Sequence, residues 1–525
     1  MSGERRRGVG AAVFSVTGVI IISKLLGFVK QMVTSGAFGA DTATDMINLA
    51  QTVIGDLEYV LAHVLMTSFI SVYLNASDEG EARRARFAKN AAAALLIIAA
   101  IAAAALLLAA YPLAALLAPG YDVDGRRTLA GYIAIYSPLL ILFALTAVNQ
   151  GLLNADRRFT AVEARSIPQS IIIIAAIAIA GGKLGADSLV LGFLVYTAFN
   201  TVWFWLLARR YYHAPATPAL HNEPRAYRTP FADPLVGRLL RLSLPLLVGY
   251  SAYYINQQVN KSLASRLGEG AVTELGYGAV LFNLVTAFIA SFASIMFSYV
   301  TAAIADGHRA RAATLANGTA AGLCALFLPV CIICVMMAPD IVGIAFGRGE
   351  FTDKNVASTA AALGGYSFSF LPLILQEVYG RVCYGYGDTR RPMINSVISI
   401  VCNIILSVLL APRFGIGGIT AAYSASILVY GVLNFISSRH HDKALSLLPL
   451  LRLLPQMAVG GAACAVAVHF VSAALDGHSA LLRFAAATAA GVVLYAIPML
   501  PAILKLSRTF LRRRAANSTK AKNNK

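Results

Sequence analysis

Lys24 and Lys30 stand in an apolar run near the start of the chain, and Asp56, Glu58 and His63 stand in the next one. A charged side chain at mid-membrane depth costs about 2.5–3.5 kcal/mol on insertion scales, so four of them cost about 12 kcal/mol. That is comparable to the net stability of a whole domain. Charges survive there only when they face water, one another or a charged ligand, so these residues are expected to floor a polar cavity. Lysine ammoniums act there as compact point charges, with Asp56 or Glu58 as their counter-charges. A blander reading stands beside this one: Lys24 lies about 18 Å deep at 1.5 Å per residue, a depth similar to that of Glu58. The charges would then meet only to neutralise one another and lock the two helices together. Lys261 follows the polar run Asn256, Gln257, Gln258 and Asn260. It is either a third cavity cation or a side chain that snorkels to the interface. Glu377 and Arg381, four residues apart, are expected to pair on one helix face.

The elements that position these residues follow from composition. Hydrophobic residues make up 58% of the chain, charged residues 13%, and mean hydropathy is +0.69. Soluble domains carry about 25% charged residues, so the chain reads as an all-α polytopic membrane protein. Apolar windows long enough to span a bilayer recur fourteen times, from 11–36 to 481–504. Of the 43 lysines and arginines, 31 fall in segments that a cytoplasmic N-terminus would place inside, against eight outside. This bias satisfies the positive-inside rule and predicts both termini in the cytoplasm. The net charge of +18 is accounted for by that topology and by anionic lipid heads, so no nucleic acid is implied. The basic tail LRRRAANSTKAKNNK is expected to be disordered beside the lipid, and no cleavage of the N-terminal segment is expected. All six cysteines lie in apolar segments and read as packing residues. The glycine-rich GEGAVTELGYG (268–278) lacks the lysine and the strand of a nucleotide loop. No metal cluster or catalytic triad stands out either, so neither a cofactor nor enzyme chemistry is expected.

The chain also repeats itself. Asp45 in SGAFGADTATDMINLAQ aligns with Glu274, and Asp156 in NQGLLNADRRFT aligns with Asp388, at offsets near 230 residues. Six spans separate the copies, and an even number preserves orientation, so two parallel six-helix lobes are expected with a ligand site between them near the midplane. The predicted division is an N-terminal lobe at 1–210, a Pro-rich cytoplasmic linker at 211–238 and a C-terminal lobe at 239–440. Two further helices follow at 441–507, then a basic tail at 508–525.

The run SKLLGFVKQMVTSGAFGADTATD resembles the opening signature of the MurJ/MviN family of lipid II flippases, within the multidrug/oligosaccharidyl-lipid/polysaccharide exporter superfamily. LASRLGEGAV (263–272), FGRGEFT (346–352) and YGYGDTRRPM (384–393) resemble the family at matching places. The resemblance implies two lobes in a V and two C-terminal helices forming a groove. It also implies a bacterial plasma-membrane protein that moves an undecaprenyl-pyrophosphate-linked peptidoglycan precursor to the outer leaflet by alternating access. Lys24 and Lys30 occupy positions where the family usually carries arginines, and Asp45 matches its acid after the F-G-A turn. Glu58 and Tyr59 stand where the family usually shows an arginine pair, and Val280 and Asn283 replace an arginine and an acid. The substrate-binding residues expected on this basis are Lys24, Lys30, Asp45, Asp56, Glu58 and Lys261. The expected partners are a lipid-linked anionic precursor and membrane lipids, with cell-envelope synthesis proteins as further candidates. The chain is expected to be a monomer, driven by an ion gradient or the membrane potential. Two other functions compete, a cation-coupled drug exporter of the same superfamily and a transport-inactive relative that scaffolds envelope assembly.

Overall fold

A computed structural model describes residues 3–76, 80–212 and 229–523, and all regular structure among them is helical. In hydrocarbon each backbone N–H and C=O must be satisfied within its own segment, which long Ala/Leu/Ile runs achieve as helices. The chain divides into two compact units. The first comprises Met1–Leu275 with Phe346–Asn355, and the second Gly276–Ala345 with Val356–Lys525.

The first unit holds α1 (Gly3–Phe38), α2 (Thr42–Asn75), α3 (Glu81–Leu108), α4 (Ala110–Leu117) and α5 (Val123–Tyr136). It continues with α6 (Leu139–Ala155), α7 (Phe159–Glu163), α8 (Ser166–Leu184), α9 (Asp187–Ala208) and α10 (Pro234–Ala264). Its centre is aromatic: Phe69 of α2, Phe87 of α3 and Phe204 of α9 are fully buried together with Leu152 of α6 and Leu239 of α10. The α10 helix packs on α2, α3 and α4, so the seventh apolar segment belongs to this unit. Asp233 starts α10 by accepting the Leu235 N–H at 3.0 Å, with Pro234 in the first turn, where its missing N–H costs nothing. Most of the expected linker, residues 213–228, lies outside the described residues.

The α11 helix (Ala271–Ala305) starts in the first unit and runs into the second. The second unit holds α12 (Arg309–Met336), α13 (Ala338–Phe346, apart from its last residue), α14 (Asp353–Ser367, from Val356 onward) and α15 (Phe370–Gly385). It ends with α16 (Arg390–His441), α17 (Leu448–Ala474) and α18 (Ala480–Asn523). Phe282 stacks on Tyr366 and Phe370 at centroid distances of 4.9 and 5.5 Å. The tail expected to be disordered is helical as far as Asn523, in keeping with its Ala, Arg and Lys content.

The 52 residues of α16 form two arms, because Gly415 at φ 59° and ψ −140° breaks the helix. Asn395 donates to Asn434 and Ser437 at 2.9 Å, and Ser399 donates to the Ser426 carbonyl at 2.8 Å. Partner numbers thus fall on the second arm as they rise on the first, which identifies an antiparallel hairpin. Among the described residues, length and apolarity alone identify ten spanning helices, or twelve when the bent pairs α5–α6 and α14–α15 each count as one span. The polar α10 and the second arm of α16 are the expected spans left outside that count.

Each unit carries the marks of the repeat. The bends of the two pairs are 42° and 41°, at positions about 230 residues apart. In the first unit Asp156, just after α6, binds Arg210 at 2.7 Å and the Tyr211 hydroxyl, both just after α9. In the second, Asp388, just after α15, lies 2.8 Å from His441 Nε2 at the end of α16. The Tyr211 hydroxyl, and after it Arg210 and Arg158, hold the Asp156 carboxyl below the usual carboxylate range.

Candidate functional site

The polar residues of α2 form one stripe. Asp45, Asn48, Thr52, Asp56, Tyr59 and His63 follow at steps of three or four, the spacing of one helix face. Along it Asn48 donates to Thr273 Oγ1 at 2.8 Å, and Gln258 of α10 donates to Asp56 Oδ2 at 2.8 Å. Lys261, one turn beyond Gln258, donates to Thr52 and lies within electrostatic reach of Asp56. Further along, Tyr59 packs against Tyr254 of α10 at 5.5 Å between centroids. His63 stacks on Tyr59 at 3.7 Å and donates through Nδ1 to its carbonyl at 3.0 Å. The α2–α10 contact is therefore a polar seam, and Lys261 is part of it.

Glu58 lies off this stripe. Its carboxylate meets Arg165 at 3.2 Å, with both side chains about three-quarters or more buried. Arg165 stands between α7 and α8. Lys24 and Lys30 meet neither acid. The α1 helix packs chiefly on α8 and α7, leaving Lys24 exposed and Lys30 half-buried. No carboxylate among the described residues pairs with either lysine. The expected lock between α1 and α2 is thus absent there, because equal depth along two helices does not fix the direction each side chain faces. The expected Glu377–Arg381 pair of α15 is present at 2.7 Å, and Arg381 also donates to Ser294 at 2.9 Å.

Asp45 is fully buried and accepts the backbone N–H groups of Thr273 at 2.7 Å and Val272 at 3.3 Å, together with the Tyr121 hydroxyl. It satisfies two donors in the first turn of α11, where a negative charge also suits the helix dipole. Around it three separate sequence motifs meet. The Glu350 N–H donates to the Gly36 carbonyl at 3.1 Å, and Asn355 donates to Glu274 at 2.9 Å. Gly349 has φ +61°, and a Cβ there would sit 2.0 Å from the Gly36 oxygen, so only glycine fits. Asp45→Ala is expected to lower stability by roughly 2–3 kcal/mol through orphaned buried donors, with Asp45→Asn intermediate. Thermal unfolding in detergent measures this, and two unchanged midpoints would refute the capping role.

Gln258, Asn48, Thr52 and Arg165 were not among the expected site residues. The run from Asn256 to Asn260 signalled the first, while neutral residues spaced along α2 and a basic residue near a span end carry no such signal. No group of three or more His, Cys, Asp or Glu side chains suited to a metal ion occurs among the described residues. The arrangement offers two cations without acid partners among the described residues, a polar seam between α2 and α10, and a buried carboxylate clasp on α11.

The family model described as lipid II flippase MurJ matches residues 34–486. A protein of Rhizobium meliloti (strain 1021) named "Probable lipid II flippase MurJ" is 25% identical over 463 residues, covering 87% of this chain and 85% of its own. Among solved structures, "Lipid II flippase MurJ, inward closed conformation" matches with a TM-score of 0.76 and 18% identity, covering 94% of this chain and 99% of that one. An inward-facing multidrug resistance MATE family transporter of the MOP superfamily matches at 0.66 and 15% identity, covering 82% and 98%.

Proposed function

The chain belongs to the lipid II flippase MurJ family, and from that membership we propose how its residues handle the cargo. It is a multi-pass protein of the bacterial cell membrane and a transporter of a lipid-linked peptidoglycan precursor. Lys24 and Lys30 grip the pyrophosphate of the undecaprenyl-linked head group as it passes from the inner to the outer leaflet. The observation that carries this assignment is that both lysines lack a carboxylate partner among the described residues, whereas Glu58 has Arg165 and Asp56 has Gln258. An anionic cargo supplies the missing counter-charge. Lys261 and Asp56 act one step away, keeping the α2–α10 seam polar and the cavity wet, and Glu58 holds Arg165 beside it. Asp45 clasps the start of α11, a contact that alternating access must make and break.

The same reading has fourteen spans, both termini in the cytoplasm and two six-helix lobes at 1–210 and 239–440, lobes defined by the sequence repeat, although α10 packs within the first unit. The linker at 211–238, the helices at 441–507 and the tail at 508–525 complete the division. It works as a monomer beside cell-envelope synthesis proteins, driven by an ion gradient or the membrane potential. The test is complementation. Expression in a strain depleted of its lipid II flippase should restore growth and cell shape. Failure to rescue at normal membrane abundance would overturn the proposed cargo.

A further inference from the structure

The hairpin turn of α16 builds a pocket that the transport cycle described above does not use. Gly415 breaks the helix, and the chain returns so closely that a Cβ on Gly418 would sit 2.5 Å from the Leu410 carbonyl. Beside this turn, within the second unit, lies a cavity of about 400 Å³, inside the range of about 300–1,000 Å³ typical of ligand sites. Small residues line it on both sides: Ala361 and Gly365 of α14, and Gly417 and Ala421 of the second arm. Its aromatic walls are Phe368, at the break between α14 and α15, and Phe414 at the turn. These two rings are 58% and 66% exposed.

Two observations say what fills it. The first is the surrounding surface. Ile394, Ile398, Val401, Ile405 and Val408 are exposed at helical spacing along the first arm that leads to the pocket. An apolar face of that length on a spanning helix meets hydrocarbon, so an open apolar cleft beside it takes a lipid chain and not water. The second is charge. Arg413 immediately precedes Phe414, is exposed, and has no acid partner among the described residues. It is one of the eight basic residues in loops expected outside, between the two arms of α16.

We infer that the α14–α16 cleft is a binding site for one anionic phospholipid of the outer leaflet, with an acyl chain in the cleft and its phosphate on Arg413. A single guanidinium matches a single phosphodiester, and the aromatic walls select a chain end by packing. The inference does not depend on which cargo the transporter moves.

Native mass spectrometry of the full-length protein, mildly delipidated and then offered phosphatidylglycerol or phosphatidylcholine, tests it. The intact protein should retain one phosphatidylglycerol in preference to phosphatidylcholine. Arg413→Gln should weaken that preference roughly fivefold, the scale of one basic residue at an anionic surface. Ala421→Leu, which fills the cleft, should lower retention of both lipids. Arg413 is exposed, so its replacement leaves the fold intact, and an unchanged melting temperature checks the cleft variant. Equal phosphatidylglycerol retention by the intact protein and both variants would overturn the site. Displacement by undecaprenyl pyrophosphate that depends on Arg413 would overturn the phospholipid assignment in favour of the cargo.

Discussion

Replacing Lys24 and Lys30 together by alanine should cut lipid-precursor flipping in reconstituted vesicles by roughly ten- to a hundredfold. A hydrogen bond to a charged group contributes about 1.5–3 kcal/mol, and about 1.4 kcal/mol is a factor of ten. The structure separates this loss from a folding defect. Removing one partner of a buried ion pair orphans the other, but neither lysine has a carboxylate to orphan among the described residues. The double variant should therefore melt close to the parent, because it strands no buried charge. Arginine at both positions keeps the charge and should retain most of the activity, which distinguishes phosphate binding from packing. Flipping at the parental rate in the alanine variant would sink the assignment, whatever the melting curve shows.

That contrast was only half legible in the sequence. Hydropathy places the helices well, because in a bilayer the free energy of each segment is set by its own composition. The repeat was legible for a similar reason. Asp156 and Asp388 recur in matching turns, and each ties the end of one helix to the end of the helix two spans later. The pairing of cavity charges was not legible. Counting residues along two helices gives an expected depth, and it puts Lys24 and Glu58 at a similar one. Whether they touch depends on rotation about each axis, which is set by neighbours more than a hundred residues away. The α1 helix turns to α8, while Glu58 turns to Arg165. Asp45 shows the same limit. Its type marks an acid after a turn, but its partners are backbone N–H groups of α11, and backbone donors leave no trace in a sequence.

Asp233→Ala should be among the most destabilising single changes in the chain, costing about 3–5 kcal/mol because it strands a buried cation. Asp233 is 0% exposed and Arg83 4% exposed, and 150 residues separate them. Arg83 Nη1 and the Asn90 amide each donate to the carboxylate at 2.9 Å. The pair thereby pins the start of α10 to α3, and with it the helix that carries Gln258 and Lys261. Burial pushes the Asp233 carboxyl up, but the hydrogen bonds from Arg83, Asn90 and the Leu235 amide outweigh it and hold the group below its ordinary value. A carboxylate depressed on folding contributes stability above its unfolded value of about 3.9, and loses it as pH falls through the folded value. The pair should thus hold at full strength at neutral pH and fail only in strong acid. Replacing both partners, as in Arg83→Met with Asp233→Leu, leaves no charge stranded and should recover most of the loss. Recovery would show that Asp233 matters through Arg83, whereas a double variant as unstable as Asp233→Ala would point instead to its cap on α10.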